Sequence, residues 1–283
     1  MKILIIGSKG MLGQTLMEVF GSSSEVIGWD RDEVDLVEIK NQKSKIKNLE
    51  ADLVVNAAAY NDVDRAEQEP EIAGAVNGYA VGNLAKICKE LDIPLVHYSS
   101  DYVFDGVKKE GYVEADKPNP ISAYGYSKFL GEQELQKNTD KFYLIRLSRL
   151  FGSEAQVIGA KKSFASKMLE LAQKQKEIEV IDEELSCPTY APDLAQKTRE
   201  IVEAKLPFGI YHCPNSGNAV TWYGFAAEIF KIAVINVKLI PVPAERFPRP
   251  AKRPAFSVLL NTKLPPQRPW LEALQEYLSS YKP

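Results

Sequence analysis

The sequence predicts an α/β fold: a Rossmann-type doubly wound parallel sheet with a smaller C-terminal lobe placed to take a substrate. Three observations point to it. Short continuous apolar runs alternate with longer amphipathic stretches through the first half of the chain. A glycine-rich turn follows the first apolar run at once. Beyond Cys187-Pro188-Thr189 the elements shorten, and proline becomes dense from Pro241 to Pro269. Strands that alternate with helices close into a parallel sheet through right-handed crossovers.

The elements follow in order. Ile3 to Ile6 is apolar throughout, as a strand buried on both faces requires. Leu12, Leu16, Val19 and Phe20 recur at helical spacing. Val26–Asp30 is the expected second strand and Leu53–Ala59 the third. A long helical pattern covers about Glu71 to Leu91, and Pro94–Ser99 is the fourth strand. A helix around Ser122 to Leu135 leads to the fifth strand, Phe142–Leu147. Ile178–Ile181 is expected to be the sixth. These elements assign residues 1–150, with about 177–205, to a dinucleotide-binding domain. About 151–176 and 206–283 then form the smaller lobe. Ligands of such sheets bind beyond the C-terminal strand ends.

Composition narrows the function. The chain has 283 residues, and its 35 Lys+Arg against 38 Asp+Glu give a net charge of −3. No concentrated basic face is available for a phosphate backbone, so no nucleic-acid partner is expected. Cys88, Cys187 and Cys213 lie far apart without a CxxC pair, and only His97 and His212 could join them. Neither a disulfide framework nor a metal site is expected. The first apolar run is too short for a secretory signal or a membrane span. The expectation is a soluble cytoplasmic protein with no membrane partner; monomer and homodimer are both left open.

Gly7-Ser8-Lys9-Gly10-Met11-Leu12-Gly13 joins the first strand to the first helix. Gly7 allows a tight turn, Gly10 lets backbone approach a pyrophosphate, and Gly13 permits close packing of helix on strand. The helix N-terminus adds N–H donors and a partial positive charge. Asp30 ends the second strand, where an acid would bond the adenosine ribose. Arg31 follows and would suit a 2′-phosphate, so NADH and NADPH are both open. Asp35 and Leu36 are placed either to flank the adenine or to form a turn.

Reducing a ketone requires a proton donor beside the carbonyl. Of the 13 tyrosines, only Tyr124 has a lysine four residues on, Lys128. That spacing puts phenol and ammonium on one helix face, where the cation lowers the phenol's pKa and nears the nicotinamide ribose. Position strengthens the pair, because this helix follows the fourth strand after Pro118-Asn119-Pro120. Ser99-Ser100 closes that strand, where a hydroxyl can polarise the carbonyl.

With these residues in place, the chain resembles the extended short-chain dehydrogenase/reductase superfamily and, within it, the dTDP-4-dehydrorhamnose reductase family. The likeness spans nearly the whole chain. It rests on the glycine turn, on Val55–Glu67, on Val96–Gly106, and on Pro118–Lys128. Pro188–Leu194 and Arg253-Pro254 with Ser257 carry it into the C-terminal part. The resemblance implies reduction of the 4-keto group of a nucleotide-linked sugar, dTDP-4-dehydro-L-rhamnose, by NADPH or NADH. It implies Tyr124 as general acid, Lys128 as its modulator and ribose ligand, and Ser100 as the ketone's hydrogen-bond donor. Asp101 would lie beside the sugar. Gly10, Met11 and Leu12 would meet the pyrophosphate, and Ala59, Tyr60 and Asn61 the ribose and nicotinamide side.

Two positions depart from the family pattern. Arg149 stands where the family has tryptophan, and Leu260 where an acid is common. Two readings of Arg149 stay open: a ligand for a sugar hydroxyl, a carboxylate or a phosphate, and a surface charge. Lys161, Lys162, Lys167, Arg246, Arg249 and Arg253 are candidates for the diphosphate, Arg253 first among them. Trp222, Phe225 and Phe230 are expected in the core of the small lobe. Two other readings stay open: a nucleotide-sugar epimerase or dehydratase on the same scaffold, and a regulatory subunit like that of methionine adenosyltransferase. Retention of Ser100, Tyr124 and Lys128 favours an enzyme.

Overall fold

The computed structural model describes residues 1–156 and 162–279. The first half runs β1 (Lys2–Ile6), α1 (Met11–Gly21), β2 (Glu25–Trp29), α2 (Lys43–Leu49) and β3 (Leu53–Asn56). Next, α3 (Pro70–Gly74) passes through a π-helical turn (Ala75–Tyr79) into α4 (Ala80–Glu90). β4 (Leu95–Ser100), α5 (Ala123–Asn138) and β5 (Phe142–Leu147) complete this half. The second half holds β6 (Leu150–Phe151), α6 (Phe164–Ala172), β7 (Glu177–Ile181), β8 (Thr189–Tyr190) and α7 (Ala191–Glu203). It ends with β9 (Gly209–His212), α8 (Trp222–Ile232), β10 (Lys238–Val242) and α9 (Trp270–Ser279).

Six strands form one sheet in the order β2-β1-β3-β4-β5-β9, every neighbouring pair parallel. The direction of winding reverses at β1, which opens a crevice at its C-terminal end beside β3. Alternate residues explain the apolar strands. Ile3 and Ile5 join Leu12, Leu16 and Phe20 on one side, while Leu4 and Ile6 join Val54, Leu84 and Ile87 on the other. The helices of both layers supply these partners, so the sheet is covered on both faces.

The sixth strand is a correction. Residues 177–181 do not extend the central sheet; β7 pairs with β10 in a separate two-stranded sheet. The sixth position belongs to β9, which pairs with β5. Ile178 and Val180 pack with Phe225, Ile229 and Phe230 in the lobe's own core. An apolar strand of this length satisfies either sheet, and only the packing partners separate them. The expected division shifts accordingly: 177–181 sits in the lobe, and 209–212 in the cofactor half.

The long helix expected over 71–91 is present, but with the π turn in its middle. Helix α5 lies against this turn at very close range. A Cβ on Gly131 would fall 2.1 Å from the Asn77 carbonyl oxygen, and one on Gly78 2.5 Å from Leu130. Single π turns often mark functional sites.

Candidate active site

The glycine turn forms as its residues demand. Gly7 has φ +81°, and a Cβ there would fall 2.6 Å from the Ala58 nitrogen at the end of β3. A Cβ on Gly13 would fall 1.9 Å from the Gly7 carbonyl oxygen. Gly10 is the N-cap of α1, and no side chain caps this terminus. The first-turn N–H groups of Met11, Leu12 and Gly13 therefore point toward the crevice with the helix dipole behind them. This cradle fits the pyrophosphate of a dinucleotide.

At the adenosine end, the backbone N–H groups of Lys9 and Arg31 donate to the two oxygens of the Asp30 carboxylate, at 3.0 and 2.9 Å. The Lys9 side chain pairs with Asp32, and Arg31 is exposed beside it. Asp35 accepts a hydrogen bond from the Val37 N–H at 2.9 Å, and Leu36 is buried among Trp29, Val34 and Ile39. These contacts form a turn after β2.

On the nicotinamide side, Ala59, Tyr60 and Asn61 follow β3. Asn77, on the π turn, clamps this segment: Tyr60 N–H donates to Asn77 Oδ1 at 2.8 Å, and Asn77 Nδ2 donates to the Tyr60 carbonyl at 2.9 Å. The same amide reaches Ser127 Oγ on α5 at 2.9 Å. Nothing in the local pattern singled out Asn77; the wide turn that aims it forms only against α5.

The catalytic candidates meet at the tip of β4. Helix α5 starts at Ser122, whose hydroxyl accepts from the Gly125 N–H at 3.2 Å. Tyr124 and Lys128 then face the strand. The nearby Ser100 hydroxyl lowers the Tyr124 phenol against the effect of burial; burial wins and pushes the phenol up to about 12. Lys128 is buried and donates to the Tyr98 carbonyl at 2.6 Å. Burial lowers its amine to about 8, against the pull of Glu132.

Asp101 is buried beside Ser100. Its Oδ1 accepts from Ser100 Oγ at 3.1 Å and its Oδ2 from Ser257 Oγ at 2.5 Å. Burial raises the carboxyl to about 6, with Ser257, Ser100 and the Arg149 charge opposing. Asp101, Tyr102, Arg149, Glu184, Trp222 and Ser257 line a cleft between this tip and the lobe.

Arg149 takes φ +44°, a left-handed backbone rare for arginine. Its guanidinium donates to the Val220 and Glu184 carbonyls, each at 2.6 Å, and lies 3.9 Å over the Trp222 ring. Trp222 donates to Glu184 Oε2 at 2.8 Å. Phe225 and Phe230 are in the lobe core as expected, whereas Trp222 also reaches the cleft. Arg253 is bonded to Asp64 through both ends of its fork, at 2.6 Å each. Arg246 pairs with Glu179, Arg249 with Glu184 and Lys162 with Glu170. The basic residues expected at a diphosphate thus hold carboxylates here; Lys167 is exposed, and Lys161 lies outside the described residues. Leu260 is exposed, and its carbonyl faces His212 Nδ1 at 3.1 Å.

Among the described residues no group of His, Cys, Asp and Glu is arranged to hold a metal ion, and no helix is long and apolar enough to cross a membrane.

The chain is similar to known proteins along nearly its whole length. The family model described as RmlD substrate binding domain matches residues 1–282. A dTDP-4-dehydrorhamnose reductase from Burkholderia thailandensis is 35% identical over 280 residues, 93% of this chain and 92% of that protein. The Escherichia coli enzyme of the same name is 34% identical over 277 residues, 93% and 90% of the two chains. The structure of a dTDP-4-dehydrorhamnose reductase from Clostridium acetobutylicum superposes with a TM-score of 0.92 at 35% identity, covering 99% of both chains. One from Bacillus anthracis, in complex with NADP, gives 0.93 at 29% identity over 99% of both.

Proposed function

The chain belongs to the RmlD substrate-binding-domain family, and on that premise we propose that it uses NADPH to reduce the 4-keto group of dTDP-4-dehydro-L-rhamnose, giving dTDP-L-rhamnose. The observation that carries this reading is the placement of Ser100 at the tip of β4 with Tyr124 and Lys128 buried on α5, one helical turn apart, and Lys128 bonded to that strand.

The residues divide the work as follows. The N-terminus of α1 takes the pyrophosphate, and Arg31 with Lys9 takes the 2′-phosphate. The bound nicotinamide supplies the hydride to the carbonyl carbon. Ser100 donates a hydrogen bond to the carbonyl oxygen. Tyr124, whose phenol sits at about 12, is protonated at neutral pH and delivers its proton to that oxygen as negative charge builds on it. Lys128 is charged at neutral pH and offsets the phenolate left behind. Asp101 and Arg149 border the sugar from the cleft wall. A homodimer belongs to the same proposal, since Ile72, Tyr79 and Tyr126 stand exposed on helices that pack side by side. So does a cytoplasmic location, where NADPH and a soluble nucleotide sugar can both reach the cleft.

The test follows NADPH absorbance with dTDP-4-dehydro-L-rhamnose and other nucleotide-linked ketosugars. Net NADPH oxidation is expected, whereas an epimerase would return its hydride. Tyr124→Phe is expected to lower kcat by about 10²–10⁴ while NADPH still binds. No oxidation with any 4-keto sugar, or near-unchanged turnover of Tyr124→Phe, overturns the reading.

A further inference from the structure

Helix α5 buries an unusual face. Where an amphipathic helix would turn apolar residues inward, α5 buries Tyr124, Lys128 and Glu132, spaced i, i+4 and i+8 on one side. Consecutive residues of β4 meet all three: the Ser100 hydroxyl acts on the Tyr124 phenol, the Tyr98 carbonyl accepts from Lys128, and Ser99 Oγ donates to Glu132 Oε1 at 2.6 Å. Glu132 is fully buried and is held from β5 as well. Arg146, the register partner of Ser99, donates through Nε to Oε1 at 2.8 Å and through Nη2 to Oε2 at 2.7 Å. A buried ion pair is seldom the most stable filling of a core, because desolvating both charges costs as much as their attraction returns. Stability alone therefore does not account for a carboxylate here.

We propose that Glu132 is a positioning residue for the reduction: held by Ser99 and Arg146, it fixes the catalytic face of α5 against the tip of β4 and sets a buried negative charge one helical turn from the Lys128 amine. The inference rests on the assignment of Tyr124 and Lys128 as the catalytic pair.

The charges around Lys128 support this. On its own helix it faces Glu132, which acts to hold the proton on, and the neutral phenol of Tyr124 lies one turn back. From β4 it faces His97, which burial keeps neutral and whose Nδ1 lies 3.2 Å from Asn56 Nδ2. The Arg146 charge is turned to Glu132 and, beyond it, to His212 Nε2 at 3.3 Å; the backbone N–H of His212 donates to Glu114 at 3.2 Å. Without the carboxylate, burial would strip the proton from Lys128 at a lower pH.

The experiment measures the pH dependence of kcat for NADPH oxidation, with the thermal midpoint recorded beside it. The charged amine is the active form, so activity falls as pH rises through about 8 in the unmodified protein. In Glu132→Gln the alkaline limb is expected to move down by about one pH unit or more. Since that variant strands Arg146 in the core, Glu132→Gln combined with Arg146→Gln removes both charges and keeps the question answerable. Ser99→Ala retains the carboxylate and is expected to leave the limb in place. An unmoved limb in the charge-removing variants overturns the proposal, however far their stability falls. Tyr124→Phe assayed in parallel separates the two levels: full activity there overturns the catalytic pair itself, whereas loss of activity with an unmoved limb overturns only the role of Glu132.

Discussion

The Asp30 carboxylate is bonded on both oxygens by backbone N–H groups, and this decides what its neighbours can do. On the proposed reading, the exposed Arg31 beside it faces a cofactor's adenosine end. An arginine fork suits a 2′-phosphate through paired charge-assisted hydrogen bonds. Arg31→Ala is expected to raise KM for NADPH by about tenfold, equivalent to roughly 1.4 kcal/mol. KM for NADH is expected to hold, and initial rates with both cofactors check it; an equal rise for both would remove Arg31 from the choice. At this scale the sequence was legible where chemistry needs close neighbours. Tyr124 and Lys128 are four residues apart, and Ser100 ends an apolar strand. It was silent where a partner lies far along the chain. The fork of Arg253 is bonded to Asp64, 189 residues away, and no local pattern announces such a pair.

Single elements carry their own constraints. The turn between β1 and α1 works only because Gly13 has no side chain: a Cβ there would overlap the Gly7 carbonyl oxygen at 1.9 Å. Gly13→Ala is expected to push α1 off the sheet. NADPH affinity should fall sharply and the unfolding midpoint should drop, measured by titration and thermal denaturation; retained NADPH affinity would show that the helix N-terminus does not hold the cofactor. Helix α5 teaches the reverse lesson. Its buried face is polar, so apolar periodicity underdescribes it, and nothing in the local pattern marked Glu132 as part of that face. The π turn ahead of α4 escaped sequence reasoning because it answers to the backbone of α5, packed too closely for a regular turn.

Across the whole molecule, the lobe is tied to the strand tips by a few polar contacts. Ser257 donates to Asp101, Arg253 holds Asp64, and Arg149 spans from the end of β5 to the Val220 and Glu184 carbonyls. Arg149 holds a left-handed backbone, which costs on the order of 1 kcal/mol, and its fork and its stacking on Trp222 offset that strain. Arg149→Lys keeps the charge but cannot bridge both carbonyls. It is expected to lower stability by about 1–3 kcal/mol and to raise KM for the nucleotide sugar more than it lowers kcat. Denaturant unfolding and steady-state kinetics check this, and an unchanged midpoint would show that the bridge carries no weight.

By itself the sequence determined the alternating strands and helices, the phosphate turn and the residues at the tip of β4, because each depends on periodicity or on neighbours within a few positions. Tertiary structure alone decided that β9 rather than β7 completes the sheet, that the lobe's arginines hold carboxylates, and that Glu132 lies buried under Lys128. Those outcomes depend on which surfaces and charges meet across long stretches of chain, where the free energy of burial and ion pairing is set by the partner and not by the residue itself.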